Sequence, residues 1–361
     1  MYRRAVLYAL ASAALFGLST PAAKVLLGTI HPAILAGLLY SGAGIGVGLL
    51  RRSGPRVFGP KARQASLQRK DLPWLAAAIV AGGVVGPLLL MFGLTRTGAA
   101  TASLLLALEG AATAVLAWFV FRENVDRRVA LGMACLVAGA LILSWSETPS
   151  LQNILGPLAI LLACVAWGLD NNLTRKASLA DPLQITQWKG LVAGPVNLLI
   201  GLCMGASIPL SPSLLVALIT GFFAYGLSLA LYVLALRDLG AARTGAYFSV
   251  APFLGATLSV VALGENVTWG LFAAGALMAL GVGLHVTEWH EHEHLHEPTA
   301  HTHAHVHDEH HQHEHRPDDP LGEPHTHWHE YGRVKHAHPH TRTCITFIGT
   351  RLAARCEIVV R

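Results

Sequence analysis

The sequence predicts an all-α polytopic membrane protein whose ten transmembrane helices form two inverted five-helix repeats, followed by a disordered, His-rich tail. Only 13% of its 361 residues are charged, whereas 53% are hydrophobic and the mean hydropathy is +0.48. Long apolar runs fill the first 286 residues, and 18 of the 20 histidines lie in the 75 residues that follow. A soluble domain carries about 25% charged residues, so the composition argues against a water-soluble globule.

Ten apolar runs have the length that a membrane-spanning helix needs, which is about 20 residues. The first run begins after Arg3 and Arg4 and passes Ala9-Leu10-Ala11, which resembles a signal-peptide cleavage site. Because this run continues beyond that site and nine more follow, we expect it to remain as the first transmembrane helix. The runs lie at 5–27, 33–50, 73–95, 99–121, 128–145, 154–173, 183–205, 213–236, 241–263 and 267–286.

The basic residues predict the orientation, because lysine and arginine are concentrated in cytoplasmic loops. With the N-terminus in the cytoplasm, 17 of the 19 lysines and arginines before residue 287 fall inside, and only Lys24 and Arg96 fall outside. Ten crossings return the tail to the cytoplasm, and the expected location is a bacterial inner (plasma) membrane. Since the basic residues stand between apolar runs, the expected partner is the lipid bilayer rather than nucleic acid.

The two halves of the membrane region resemble each other, which indicates an internal repeat. Each half has five crossings, an odd number, so the second copy enters the membrane from the opposite side. The predicted domains are a first repeat at 1–147, a second repeat at 148–286 and the tail at 287–361. The matched segments are Gly98-Ala99-Ala100 with Gly240-Ala241-Ala242 and Glu123-Asn124-Val125 with Glu265-Asn266-Val267, both at a shift of 142, and Phe16-Gly17-Leu18 with Trp167-Gly168-Leu169 at a shift of 151.

Glu109 is the main candidate for coupling, because it lies near the middle of the fourth apolar run. A carboxylate at that depth costs roughly 2.5–3.5 kcal/mol on insertion scales, so it is expected to face a cavity or to carry a proton. Burial disfavours the charged form of a carboxyl group, which suits an exchange of protons. The alternative is a structural hydrogen bond to a neighbouring helix.

The sixth run supplies further substrate candidates near its inner end: Trp167, Asp170, Asn171 and Asn172. The carboxylate and the two amides offer donors and acceptors that suit an inner vestibule. The alternative for the aspartate is an ion pair at the headgroup level. The basic residues that would make that pair are Arg175 and Lys176.

Three more polar residues belong to the later runs. Tyr225 and Tyr247 are candidate cavity aromatics, although tyrosines also anchor helices at the membrane interface. Lys189 lies in the early turns of the seventh run, and we expect its long side chain to extend to the cytoplasmic interface.

At these matched segments the chain resembles the EamA-type members of the drug/metabolite transporter superfamily. The residues that carry the resemblance are the Phe16-Gly17 and Trp167-Gly168 pairs, the two Gly-Ala-Ala segments and the two Glu-Asn-Val loops. The resemblance covers about residues 1–286. It implies that helices one to four and six to nine line the cavity, with the fifth and tenth peripheral. It also implies an amino acid, metabolite or drug as substrate, usually exported. Many members have Glu-Pro where this sequence has Glu109-Gly110.

The tail consists largely of histidines alternating with polar residues, so it cannot bury a core and is expected to be disordered. Neutral imidazoles two residues apart can wrap one Zn, Ni, Co or Cu ion. No cofactor is required for the transport itself. The predicted metal ligands are His290, His292, His294, His296, His301, His303, His305, His307, His310, His311, His313 and His315.

These observations predict a secondary transporter of a small organic solute, exporting it by proton exchange, with a metal-binding cytoplasmic tail. One alternative is a transporter of divalent transition metals fed by the tail, and another is a membrane-anchored metal store. No catalytic triad or nucleotide fingerprint occurs in a suitable context, so no enzyme is expected. A homodimer is left open.

Overall fold

The computed structural model describes residues 2–52, 67, 69–119, 127–144, 151–176, 182–232, 235, 247–286, 290–296, 299–305, 325–331 and 334–340. The chain divides into two compact units, Met1–Glu288 and Trp289–Arg361. Each unit is described by itself.

The first unit is built from helices, several of which follow one another along a single membrane crossing. A 3-10 turn at Arg69–Asp71 precedes α4, and two π-helical segments, π1 (Ile79–Val85) and π2 (Phe222–Leu227), continue α4 and α11. The α-helices are α1 (Tyr2–Gly17), α2 (Ser19–Leu26), α3 (Pro32–Arg52), α4 (Leu72–Ala78), α5 (Gly86–Arg96), α6 (Ala99–Leu105), α7 (Leu108–Phe119), α8 (Arg127–Ser144), α9 (Leu151–Lys176), α10 (Pro182–Cys203), α11 (Pro212–Gly221), α12 (Ala251–Leu263) and α13 (Trp269–Val286).

Five helical stretches of the described chain are long and apolar enough to cross a bilayer, and shorter apolar helices accompany them. The five stretches are Arg4–Leu26, Pro32–Arg52, Arg69–Arg96, Ile154–Thr174 and Pro212–Tyr232. The prediction of a helical, polytopic membrane protein is therefore confirmed.

Glycines let the helices approach closely at the centre of the unit. An added Cβ at Gly44 of α3 would lie 2.6 Å from the Leu191 amide nitrogen of α10. At Gly37 the same atom would lie 2.7 Å from the Leu198 amide nitrogen. Because side chains would hold the backbones apart, such small residues are the usual means of close packing between membrane helices. These glycines therefore serve packing.

The helix predicted over the fourth apolar run is broken at its middle. Helix α6 ends at Leu105, a turn follows, and α7 begins at Leu108, so that Glu109 lies in the first turn of a new helix. Beside it, Gly110 is exposed, and an added Cβ there would meet nothing within 4 Å. The break thus leaves Glu109 next to open space.

The tail unit contains four strands in two antiparallel pairs. Strand β1 (His290–His296) pairs with β4 (Val334–His340), and β2 (Thr299–His305) pairs with β3 (His325–Tyr331). The composition of these residues predicts disorder instead. The difference follows from the strict alternation of histidine with other residues, which has the period of a strand.

Candidate functional site

Glu109 and Asn171 meet between α7 and α9. The side-chain amide of Asn171 donates a hydrogen bond to Glu109 Oε1 at 3.0 Å and a second one to Thr113 Oγ1 at 3.2 Å. The Thr113 hydroxyl donates to the Glu109 carbonyl oxygen at 2.8 Å, one helical turn back. Glu109 is half-buried and Asn171 is exposed.

Asn172 makes a different kind of contact, although it is the next residue in the chain. Its buried amide donates to the carbonyl oxygens of Thr113, at 3.1 Å, and Gly168, at 2.8 Å. The first bond joins α9 to α7, and the second stays within α9. Asn172 therefore fastens the two helices together and does not extend into the open space.

Asp170 forms a buried ion pair. Lys189 Nζ of α10 lies 2.5 Å from Asp170 Oδ1, and both side chains are at most 15% exposed. The Thr174 hydroxyl also donates to Asp170 Oδ1, at 2.9 Å, and accepts a bond from Lys189 at 2.9 Å. Lys189 thus points into the bundle, and the expectation that it extends to the interface is wrong. Helix packing decides this, since the partner lies on another helix.

Trp167 is packed against π1. Its indole N–H donates to the Gly82 carbonyl oxygen at 2.9 Å, and the Tyr40 hydroxyl donates to the same oxygen at 2.7 Å. An added Cβ at Gly86 would lie 2.9 Å from the indole nitrogen. Trp167 is 6% exposed, so it supports the π-helical turn.

Five aromatic rings from four of the apolar runs form a continuous chain. Phe16 lies 5.9 Å from Tyr225 and 5.5 Å from Phe248, measured between ring centroids. Tyr40 lies 5.6 Å from Tyr225, and Tyr232 lies 5.0 Å from Phe248. All five rings are half-buried. This set, called the aromatic chain below, includes Tyr225 of the sequence candidates.

Tyr247 is described by a different contact. It packs against the small buried cluster of Ala5, Ala9 and Ala235, and the next residue, Phe248, joins the aromatic chain in its place. Sequence reasoning missed Phe16, Tyr40, Tyr232 and Phe248, because an aromatic residue in an apolar run gives no sign of which way it faces.

Lys24 and Glu265 stabilise the turn between α5 and α6. Lys24 Nζ donates to the carbonyl oxygens of Leu94, at 2.5 Å, and Thr97, at 2.8 Å. Glu265 accepts from the backbone N–H groups of Ala99, at 2.6 Å, and Ala100, at 2.9 Å. Helix ends leave such groups without partners, and a side chain of opposite charge is well placed to meet them. Glu123, the repeat counterpart of Glu265, lies outside the described residues.

The metal candidates are only partly covered by the structure. His290, His292, His294 and His296 lie in β1, and His301, His303 and His305 lie in β2. His307, His310, His311, His313 and His315 lie outside the described residues. Among the side chains that are described, no group of three or more His, Cys, Asp or Glu residues is placed to hold a metal ion.

Comparison with known proteins gives consistent matches. The model of the EamA-like transporter family matches residues 3–145 and 154–287. An uncharacterized transporter of Methanothermobacter thermautotrophicus is 29% identical over 279 residues, which is 74% of this chain and 81% of that protein. The uncharacterized transporter YyaM of Bacillus subtilis is 25% identical, over 63% of this chain and 76% of its own length.

A solved crystal structure shares the fold. It is 20% identical in sequence, superposes with a TM-score of 0.56, and matches 78% of this chain and 94% of its own length.

Proposed function

Because the chain belongs to the EamA-like transporter family, and so is a membrane transporter, we propose that it exports a small organic solute in exchange for protons. Glu109 is the group that takes up and releases the proton. The solute would enter from the cytoplasm and leave at the outer face. The tail would bind transition metals without being required for the exchange.

The contact between Glu109 and Asn171 carries this proposal. A carboxylate inside a membrane protein needs either a positive partner or a proton. Within the described part of the chain, the side-chain partner of Glu109 is the neutral Asn171 amide. An amide can donate to the carboxylate and can turn its oxygen toward the protonated acid. Both protonation states of Glu109 can therefore be accommodated without rearranging the helices.

Matching irregularities in the two halves support an inverted repeat of ten crossings. The π-helical segments begin at Ile79 and Phe222, 143 residues apart. The turn that breaks the fourth crossing, at 106–107, has a counterpart at 249–250. These spacings agree with the sequence shift of 142 to within one residue. Since π turns and breaks are rare inside helices and mark functional positions, their recurrence favours two copies of one architecture.

The bonds of Lys24 and Glu265 support a conformation that is closed at the outer face. Glu265 stands before the last crossing, yet it binds the start of α6 in the first half. Lys24 connects the end of α2 with the end of α5. In the orientation predicted from the basic residues, both lie on the outer side. The exposed Asn171 and the open space at Gly110 then lie toward the cytoplasm.

Export from loaded proteoliposomes tests the proposal. Vesicles containing the full chain would be loaded with a mixture of small metabolites and drugs, a pH gradient imposed, and the retained solutes measured by mass spectrometry. We expect at least one solute to leave faster than from vesicles carrying Glu109→Gln. Equal retention of every solute by the two sets of vesicles would contradict proton-coupled export.

A second candidate, transport of a divalent transition metal, is favoured by the strand register in the tail. His290 lies opposite His340 and His292 opposite His338, while His303 lies opposite His327. The register therefore sets histidine opposite histidine at successive alternate positions of each strand pair. Imidazole is a preferred ligand of Zn, Ni, Co and Cu. A metal flux that falls when these histidines are changed to asparagine would favour this candidate.

A further inference from the structure

We infer that the tail holds divalent transition metals between its first arm (β1 and β2) and its second arm (β3 and β4), with histidine ligands from both arms, so that bound metal closes the tail into a hairpin. The inference rests on the proposed binding of metals by the tail and names the ligands. The six ligands of the second arm are absent from the sequence candidates, which end at His315. The ligand pairs are His290–His340, His292–His338, His294–His336, His301–His329, His303–His327 and His305–His325.

The backbone register of the two strand pairs is the same. Strand β1 ends at His296 opposite Val334, and β2 begins at Thr299 opposite Tyr331. Two residues of each arm separate these positions, so the second strand pair follows the first without a shift in alignment. The two arms are therefore antiparallel and in one register over both pairs.

The histidine spacing of the two arms matches this register. Histidines occupy even-numbered positions in β1 and odd-numbered positions in β2, and the same change occurs between β4 and β3. As a result, six of the seven histidines in β1 and β2 lie opposite another histidine. A slip of one residue in either direction would leave none of the seven opposite a histidine. The pairing of histidine with histidine thus depends on the register that the structure shows.

Opposite positions on two strands suit a bridging metal ion. In an antiparallel pair the Cβ atoms of opposite residues are about 4.5–5.5 Å apart, so two imidazoles from such positions can reach one ion. Neutral imidazole is a ligand that suits Zn, Ni, Co and Cu. Protonated imidazoles would repel each other instead, since like charges directly opposite destabilise a sheet. Metal binding removes this repulsion because it requires the neutral form.

The strands need such a link because their sequence offers little apolar surface to bury. A two-stranded sheet alone is marginally stable in water, and only four of the 28 strand residues are large and apolar: Leu295, Trp328, Tyr331 and Val334. Small units without a sufficient core are commonly stabilised by a structural metal. Since the free energy of metal binding then also drives folding, we expect pairing of the arms with metal and disorder without it.

Calorimetric titration with Zn²⁺ tests whether both arms supply ligands. The full chain would be purified in detergent and stripped of metal with EDTA, which is then removed. One variant changes the six ligands of the first arm to asparagine, and a matched variant changes the six of the second arm. We expect each variant to bind Zn²⁺ at least about tenfold more weakly than the unaltered chain. If the second-arm variant keeps the full affinity, neighbouring histidines of one strand hold the ion and the inference is wrong.

Two double variants that remove equal numbers of histidines test the pairing itself. His292→Asn with His338→Asn removes both members of one pair, whereas His292→Asn with His303→Asn removes one member from each strand pair. Because partners act on the same ion and distant sites act independently, we expect the second variant to lose more tightly bound Zn²⁺ per chain. Equal losses from the two variants would contradict the pairing.

The outcomes distinguish this inference from the metal binding on which it rests. If the unaltered chain binds no Zn²⁺, the proposed metal binding by the tail fails together with the inference. If the chain binds Zn²⁺ and only the first-arm variant is weakened, the proposed binding stands and the ligand pairs are wrong. Every substitution lies in the tail unit, Trp289–Arg361, so unchanged thermal unfolding of the helical unit confirms that each variant is folded.

Discussion

Two carboxylates inside the helical unit are held in very different ways. Asp170 is bonded to a lysine and a threonine, whereas within the described part of the chain the Glu109 carboxylate accepts from the neutral Asn171 amide. A buried charge with a complete set of partners is costly to disturb, so Asp170 is suited to fixing α9 against α10. A charged group that lacks some of its hydrogen-bond or ionic partners can instead bind a proton or a ligand. We therefore propose that Asp170 is a structural carboxylate and Glu109 a functional one.

Asp170→Asn is expected to have the largest effect on stability. The substitution leaves the Lys189 ammonium group buried without its counter-charge, and breaking such a pair costs about 3–5 kcal/mol. Thermal unfolding in detergent measures the loss. The double variant Asp170→Leu with Lys189→Met removes both charges, and we expect it to recover most of the stability. A double variant as unstable as the single one would contradict the ion-pair account.

Glu109→Gln is expected to leave stability nearly unchanged and to abolish proton-driven flux. Glutamine keeps the size and the hydrogen bond to Asn171, so the free energy of unfolding should change by less than about 1 kcal/mol. Proton-driven solute flux should fall to the level of empty vesicles. Thermal unfolding and vesicle flux are measured on the same preparation. Loss of stability comparable to that of Asp170→Asn would make Glu109 structural and would contradict the comparison.

Glu265→Gln tests the contact that supports outer closure. The glutamine oxygen can still accept from one of the Ala99 and Ala100 N–H groups, but the charge that favours both bonds is lost. We expect a stability loss of about 1–2 kcal/mol and greater accessibility of the outer end. A cysteine placed at Thr97, read by its rate of thiol labelling, reports that accessibility. Unchanged labelling would show that Glu265 does not hold the outer end closed.

The two neighbouring asparagines offer the most selective test. Asn172→Ala leaves the Thr113 and Gly168 carbonyl oxygens without their side-chain donor and should cost about 1–3 kcal/mol of stability. Asn171→Ala should cost less than about 0.5 kcal/mol, because the exposed amide can be replaced by water. Solute flux should fall more in Asn171→Ala than in Asn172→Ala. Equal effects of both substitutions on unfolding would contradict their assignment.

The sequence predicted the helical, membrane-spanning character because apolar runs of about 20 residues have few other solutions. It did not predict which side chains meet. The partner of Asp170 lies on another helix, and nothing in the sequence distinguishes Lys189 from Arg175 or Lys176 as that partner. Lys189 is chosen by the packing of α9 against α10.

The sequence also did not predict that Phe248 belongs to the aromatic chain while Tyr247 packs against the cluster of Ala5, Ala9 and Ala235. Adjacent residues on a helix differ by about 100° in direction, and a nearly uniform apolar run does not fix which one faces inward. The break at 249–250 and the π segments further shift the direction of the side chains. The sequence singled out Glu109 as a candidate, by contrast, because a carboxylate is rare in such a run.

The central claim is that Glu109 exchanges protons for solute, and the most direct measurement is the proton flux itself. Vesicles containing a pH-sensitive dye would be given a solute gradient in the absence of any imposed pH gradient. The account predicts a dye signal for the unaltered protein that is lost in Glu109→Gln and retained in a control such as Phe223→Leu. A full signal from the Glu109→Gln vesicles would contradict it.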